Sequence, residues 1–313
     1  MAESPVWAVV ALPLALAALA WAAAALDAVL GAASAGGTGS GPGPGLVRAC
    51  GDPLHEAVRL LTQQRRRTLM ADRPLTRIGV VVLPVAATLA AVVVPLGGRA
   101  VADLPVGVVW FNTMEVAVWG ALWLTGWGAD SAFPLAGGYR FLAQGMAYEL
   151  PHMFVLITAA LGAGSLDLGE IAAAQDGLWF AVWMPVAFAV YLVSALAMAF
   201  WGPLGHPLGG DLAGGAALEL SGPDRLVFLA GRYLLLTVAA AVAVPLFLGG
   251  GAGPLLPAWA WTLVKTCAVL GALVWARRRF PAVRMERFMG IAWTVLIPAT
   301  LLQMLVVGVV VLD

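Results

Sequence analysis

Apolar runs long enough to cross a bilayer recur along the whole chain, near residues 6 to 30, 78 to 97, 105 to 125, 144 to 163, 177 to 200, 226 to 249, 256 to 276 and 289 to 312. A bilayer core takes about 20 such residues per helix, and only helices or closed barrels satisfy the backbone there. The pattern predicts an all-α, polytopic integral membrane protein of eight transmembrane helices, with residues 1–313 forming a single membrane domain. Composition agrees, because 62% of residues are hydrophobic and 11% charged, which a soluble domain of 313 residues does not carry. The first run has Glu3 where a secretory leader has basic residues, and it outruns a signal peptide's apolar core, so it reads as a retained span.

Basic residues are unevenly placed although the formal net charge is zero. Arg48, Arg59, Arg65, Arg66, Arg67, Arg73 and Arg77 lie between the first two spans, and Arg277, Arg278, Arg279, Arg284 and Arg287 between the last two. Arg140 and Arg225 fall in connections of the same parity, and Arg99 alone falls opposite. Positive loops stay inside. The expected topology therefore has cytoplasmic loops at 36–77, 126–143, 201–225 and 277–288 and both termini on the outer side of the cytoplasmic membrane. The Arg65–Arg67 triplet reads as a topology anchor or lipid-headgroup contact.

The first cytoplasmic loop has two parts. Residues 36–45 (GGTGSGPGPG) form a flexible linker, with no following Lys-Ser/Thr that would make a phosphate loop. Residues 53–68 then place Leu54, Val58 and Leu61 on one face and His55, Glu56 and Arg59 elsewhere, as in a helix lying in the membrane interface.

Charges inside spans are costly and need partners or water. Glu149, with Tyr148 beside it and Gln144 about a turn earlier, has its expected partner in Arg232 of the sixth span. Lys265 sits near mid-span. Glu115 reads as a neutral or solvated carboxylate near the outer boundary in preference to a proton site. His55, His152 and His206 form no ligand set, and Cys50 and Cys267 read as small apolar fillers, so no metal, flavin or nucleotide site is expected, and no nucleic-acid partner.

The stretch from Gly126 to Glu149 (GWGADSAFPLAGGYRFLAQGMAYE) resembles the loop and helix of the H-type membrane subunit of the respiratory NADH-quinone oxidoreductases, the complex I family. Gly126, Trp127, Ser131, Leu135, Gly137, Arg140, Gln144, Tyr148 and Glu149 match it position for position. Further blocks follow in order: Glu56 to Leu60, Ala71-Asp72-Arg73-Pro74, residues 163–168 (AGSLDL), Glu219 with Ser221-Gly222, Lys265, and Arg284 to Trp293. The resemblance implies that partner subunits deliver electrons to quinone, while this chain supplies the membrane side of the quinone site and the first links of a proton axis. On it, Glu149, Lys265, Glu219, Tyr148 and Arg232 are the proton-axis candidates. Arg140, Gln144, Arg59, Glu56, Asp72, Arg73 and Asp211 are the candidates for loops facing quinone or partner subunits.

The departures are equally specific. The family's acidic run after the fifth span is shortened here to Trp201–Leu212 (WGPLGHPLGGDL), keeping Pro207 and Asp211; a Lys-Glu pair falls on Gln63 and Gln64; and a span-six glutamate becomes Arg232. Two readings follow: a divergent H-type subunit that couples quinone reduction to proton translocation, or a non-catalytic membrane anchor for complex I-like or membrane-bound hydrogenase subunits. An unrelated transporter would show inverted repeats with broken helices, and the chain has none in its sequence.

Overall fold

A computed structural model describes residues 2–3, 6–35 and 46–312; the linker expected at 36–45 lies outside them. The architecture is all-α. Among the described residues, six helical segments are long and apolar enough to cross a membrane: Ala8–Ser34, Arg73–Ala91, Ala132–Ala163, Gly222–Phe247, Ala258–Arg279 and Met285–Val311. The expected count of eight is therefore not established. Helix α4 (Gly107–Gly128) stands where the third span was expected, but Asn112, Glu115 and four tryptophans dilute its hydropathy. The fifth expected span is broken at Met184 into α7 (Phe180–Trp183) and α8 (Pro185–Met198). Pro185 has no amide hydrogen to continue the ladder, which restarts with it in the first turn.

The remaining helices are α1 (Ala8–Ala35), α2 (Leu46–Thr62), α3 (Arg73–Ala91), α5 (Ala132–Ala163), α6 (Leu168–Ala173), α9 (Gly222–Phe247), α10 (Ala258–Arg279), α11 (Met285–Ile291) and α12 (Ile297–Leu312). A π-helical turn, Ala292–Leu296, joins α11 to α12. The long apolar α9 is the most buried of the six spans. It packs against α3, α10 and α1. Small residues permit close approach: Ala86, Ala87 and Ala90 are buried on α3, and Ala239, Ala240 and Ala243 on α9. In lipid such packing, with no hydrophobic drive between helices, carries the association. A Cβ on Gly231 would sit 2.9 Å from Leu83 Cβ, which fixes the α3–α9 distance.

Tertiary contacts move several boundaries. The interfacial helix runs over Leu46–Thr62, with Pro53 inside it, and not over 53–68. It stops because Arg65 turns to Asp224 at 3.3 Å while the Arg66 amide donates to Ser221 Oγ at 2.6 Å. Helix α5 begins at Ala132, so most of the loop expected over 126–143 is helix and the connection is only residues 129–131. Asp72 caps α3, accepting from the Leu75 amide at 3.2 Å, with Pro74 in the first turn.

Two polar side chains lock the turn after α9. Gln175 Nε2 donates to Ile171 O and Pro245 O, while its Oε1 accepts from the amides of Phe180 and Gly249. Lys265 Nζ donates to the carbonyls of Leu248, Gly250 and Ala252 at 2.7, 2.9 and 2.8 Å.

Candidate functional site

Helices α4 and α5 pack side by side and bring three ionisable groups together. Glu115 projects from α4, and Glu149 and His152 stand three residues apart on α5, hence on one face. His152 Nε2 lies 2.9 Å from Glu115 Oε2, with side-chain exposures of 1% and 2%. This separation is that of an ion pair. Glu149 is 8% exposed. Its oxygens have no well-aligned donor, though Asn112 lies beside it and Glu115 and His152 are close enough to act on its charge.

Aromatic groups enclose the cluster. The His152 ring lies 5.4 Å from that of Tyr191 and 6.1 Å from that of Phe111. Trp119 Nε1 donates to the Tyr148 hydroxyl at 3.2 Å, and Gly145 makes room for that indole, since a Cβ there would fall 2.5 Å from its ring. Ionisable groups so placed in an apolar bundle are expensive, and together they can hold and exchange a proton among two carboxylates and an imidazole.

Glu115 thus overturns the outer-boundary reading: it lies eight residues, ~12 Å, into α4 and faces His152. The Glu149–Arg232 pair is also absent. Arg232 Nη2 donates to Phe200 O at 2.6 Å, and its guanidinium lies over the Trp201 ring at 4.6 Å. Of the expected proton-axis residues, Tyr148 and Glu149 meet. Glu219 instead accepts from Ser131 Oγ at 3.2 Å, beside a small pocket lined by Arg66, Arg67 and Arg73. Lys265 lies at the turn after α9, 4.6 Å from the centre of the Trp179 ring. Sequence reasoning missed the Glu115–His152 pair; the legible signal was His152 at i+3 from Glu149, which a search for metal ligands passes over.

The loop-side candidates form a second region at the arginine-rich end. Arg140 Nη1 pairs with Asp211 Oδ2 at 2.6 Å, which holds the Asp211 carboxyl below the usual aspartate range. Gln144, fully buried, donates to Ala197 O and Leu204 O, and its Oε1 lies 2.6 Å from His206 Nδ1; His206 Nε2 lies 2.6 Å from Val283 O. Burial pushes His206 below its ordinary value against the pull of the Val283 carbonyl. Glu56 and Arg59 pair on the exposed face of α2, and the Arg59 guanidinium lowers the Glu56 pKa. A cavity of about 680 Å³ opens among Arg140, His206, Asp211, Arg232, Arg277 and Arg284. A separate crevice of about 520 Å³ lies between α1, α2 and α9, walled by Ala17, Trp21, Leu60, Leu226 and Leu229.

The family model described as NADH dehydrogenase matches residues 8–308 of the chain. The chain is 37% identical over 268 residues to a Geobacter sulfurreducens protein named as NADH-quinone oxidoreductase H subunit 2, covering 82% of this chain and 81% of that one. It is 36% identical over 268 residues to the corresponding H subunit 1 of Geobacter metallireducens, with the same coverage. Over 272 residues it is 31% identical to the H subunit of Geobacillus kaustophilus, covering 85% and 80% of the two chains.

Proposed function

The chain belongs to the NADH dehydrogenase family, among relatives named as the H subunit of NADH-quinone oxidoreductase, and from that premise we propose that it is the H-type membrane component of such an assembly, contributing to its quinone site and coupling quinone reduction to proton translocation. The observation that carries the reading is the buried Glu115–His152–Glu149 cluster, which an inert anchor has no reason to retain at the cost of burying its charges. Quinone is the substrate, reduced by electrons from hydrophilic partner subunits, and the chain contributes titratable groups that respond to charge appearing at its arginine-rich end. That end faces the cytoplasm, leaving both termini outside, as the distribution of arginines favours. Lys265 and Glu219 serve as more distant members of the proton path. Arg59, Glu56, Asp72, Arg73, Arg140, Gln144 and Asp211 shape the face toward quinone and partners.

The test is affinity purification of the chain from its native membranes in mild detergent, with identification of partners and a quinone-reduction assay on the same sample. Co-purifying NADH-quinone oxidoreductase subunits with inhibitor-sensitive quinone reduction are expected. The shortened Trp201–Leu212 loop favours the anchor as the competing reading, and partners without quinone turnover would select it.

A further inference from the structure

At the end of the molecule opposite the arginine-rich one, a crevice of about 640 Å³ lies between α1, the turn after α3 and the start of α10, with the buried Ala241 of α9 behind it. Helix α10 fixes the direction, since its 22 residues, ~33 Å, separate Ala258 at this end from Arg277, Arg278 and Arg279 at the other. The wall is apolar along Leu12, Leu16, Leu19 and Leu263, and Arg99 is the one charged residue lining it among the described residues. The backbone of Arg99 is fixed. Gly97 and Gly98, at φ of +64° and +84°, form a two-residue turn closed by the Leu96 amide, which donates to Arg99 O at 2.8 Å. A Cβ on Gly97 would fall 2.9 Å from the Trp259 amide nitrogen, so the turn rests on the start of α10, and Arg99–Ala100 pairs in parallel with Ala2–Glu3. The Arg99 side chain, by contrast, is exposed, and no ion pair or side-chain hydrogen bond engages it among the described residues. Two exposed tryptophans, Trp7 and Trp259, also line the crevice, as aromatic residues do at headgroup depth.

We propose that this crevice binds one anionic glycerophospholipid, with its phosphate on the Arg99 guanidinium beside Trp7 and Trp259 and an acyl chain laid along α1 and α10. A planar guanidinium takes a phosphate through two parallel hydrogen bonds. Within a bilayer an acyl chain gains nothing by leaving water, so selection of one lipid rests on its headgroup and on the fit of its chain. The headgroup has net negative charge because the ammonium of a zwitterionic one would find no carboxylate among the described lining residues. No other cation competes for it: Lys265, the other basic residue toward this end, is engaged by the carbonyls of Leu248, Gly250 and Ala252. Arg99 is also alone among the loop arginines in lying at this end, against the tendency that gathers basic residues on one side, and an anionic lipid supplies the partner that the chain does not. The Ala8–Ser34 span is far less buried than α9, and the bound lipid joins its first turns to α3 and α10. The site lies outside the quinone reading and does not depend on it.

The experiment uses the tagged chain in its native assembly, purified in mild detergent and illuminated with a phosphatidylglycerol carrying a diazirine on one acyl chain, with labelled peptides mapped by mass spectrometry. The label is expected on residues 7–19 and 259–266, above its level on the little-buried α12. Unlabelled phosphatidylglycerol displaces it where phosphatidylcholine and inorganic phosphate do not. In Arg99→Gln the labelling of these two segments falls about fivefold, the factor for one arginine facing an anionic lipid surface, and Arg99→Lys keeps most of it. Ala15→Trp fills the crevice and leaves Arg99 in place; it removes the label, and it carries the test if Arg99→Gln does not accumulate. Labelling no higher than that of α12, or unchanged in Arg99→Gln and Ala15→Trp, is that of bulk lipid and overturns the site. Displacement by phosphatidylcholine as readily as by phosphatidylglycerol overturns the selection by Arg99, and displacement by inorganic phosphate assigns the mouth to a free anion and overturns the lipid.

Discussion

Two carboxylates and an imidazole inside an apolar bundle are stable only as a set. Removing His152 leaves Glu115 buried with its partner gone, and removal of one member of a buried pair costs about 3–5 kcal/mol. His152→Leu and Glu115→Leu are each expected to lower the thermal stability of the detergent-solubilised protein. The double variant is expected to lose less than the sum, and strict additivity in this cycle would deny the pairing. Lys265 makes a different kind of contribution. Lys265→Met strips three carbonyls of their donor, and at ~1–3 kcal/mol for an unsatisfied buried group the variant should unfold at a distinctly lower temperature in a melting assay. Glu149 and Tyr148 were legible as candidates because the motif around them is dense. Glu115 was not, because a lone carboxylate in a tryptophan-rich run carries no sign of the histidine it meets on another helix.

At the scale of elements, helix α5 and the loop after α8 define the site together. Gly137 permits the 202–217 segment to lie on α5, where a Cβ would collide with Pro207 O at 2.7 Å. The Arg140–Asp211 ion pair clips the same segment. Asp211 is 61% exposed, so the clip is worth at most about 1 kcal/mol. Because Arg140 lowers the folded pKa of Asp211, its contribution is complete above the unfolded aspartate value of about 3.9 and is lost as pH falls through the folded one. Protonation of Asp211 should therefore loosen the loop only in acid below about pH 4, so that Asp211→Asn, measured by limited proteolysis, should remove the increase in cleavage seen there and leave any change at higher pH in place. Six of the eight expected spans fall on helices long and apolar enough to cross a membrane, whereas helix ends were not legible. Ala132 to Ala143, with Pro134 followed by Gly137 and Gly138, does not read as helix, yet it is held by packing against α4 and against the short turns at His206–Leu208 and Gly215–Ala217, and the end of α2 is set by Asp224 and Ser221, far away in sequence.

For the whole molecule, apolar content made a polytopic membrane protein legible, and ordered motifs made the family legible. What sequence could not supply was how charges on different helices meet: Arg232 sits with Trp201 and Phe200, not with Glu149, since neither packing angle nor rotamer is written in a run of apolar residues. The resulting molecule keeps the Glu115–His152–Glu149 cluster in its core and a cationic cavity with an adjoining crevice at one end. On the proposed function the two regions are coupled, so that charge arriving at the cavity changes the protonation of the cluster. This coupling is tested most directly by reconstituting the native assembly into closed vesicles and measuring protons translocated per quinone reduced, for wild type and Glu149→Gln. The ratio is expected to collapse in the variant while electron transfer from the donor side to an artificial acceptor persists; an unchanged ratio would rule the coupling out.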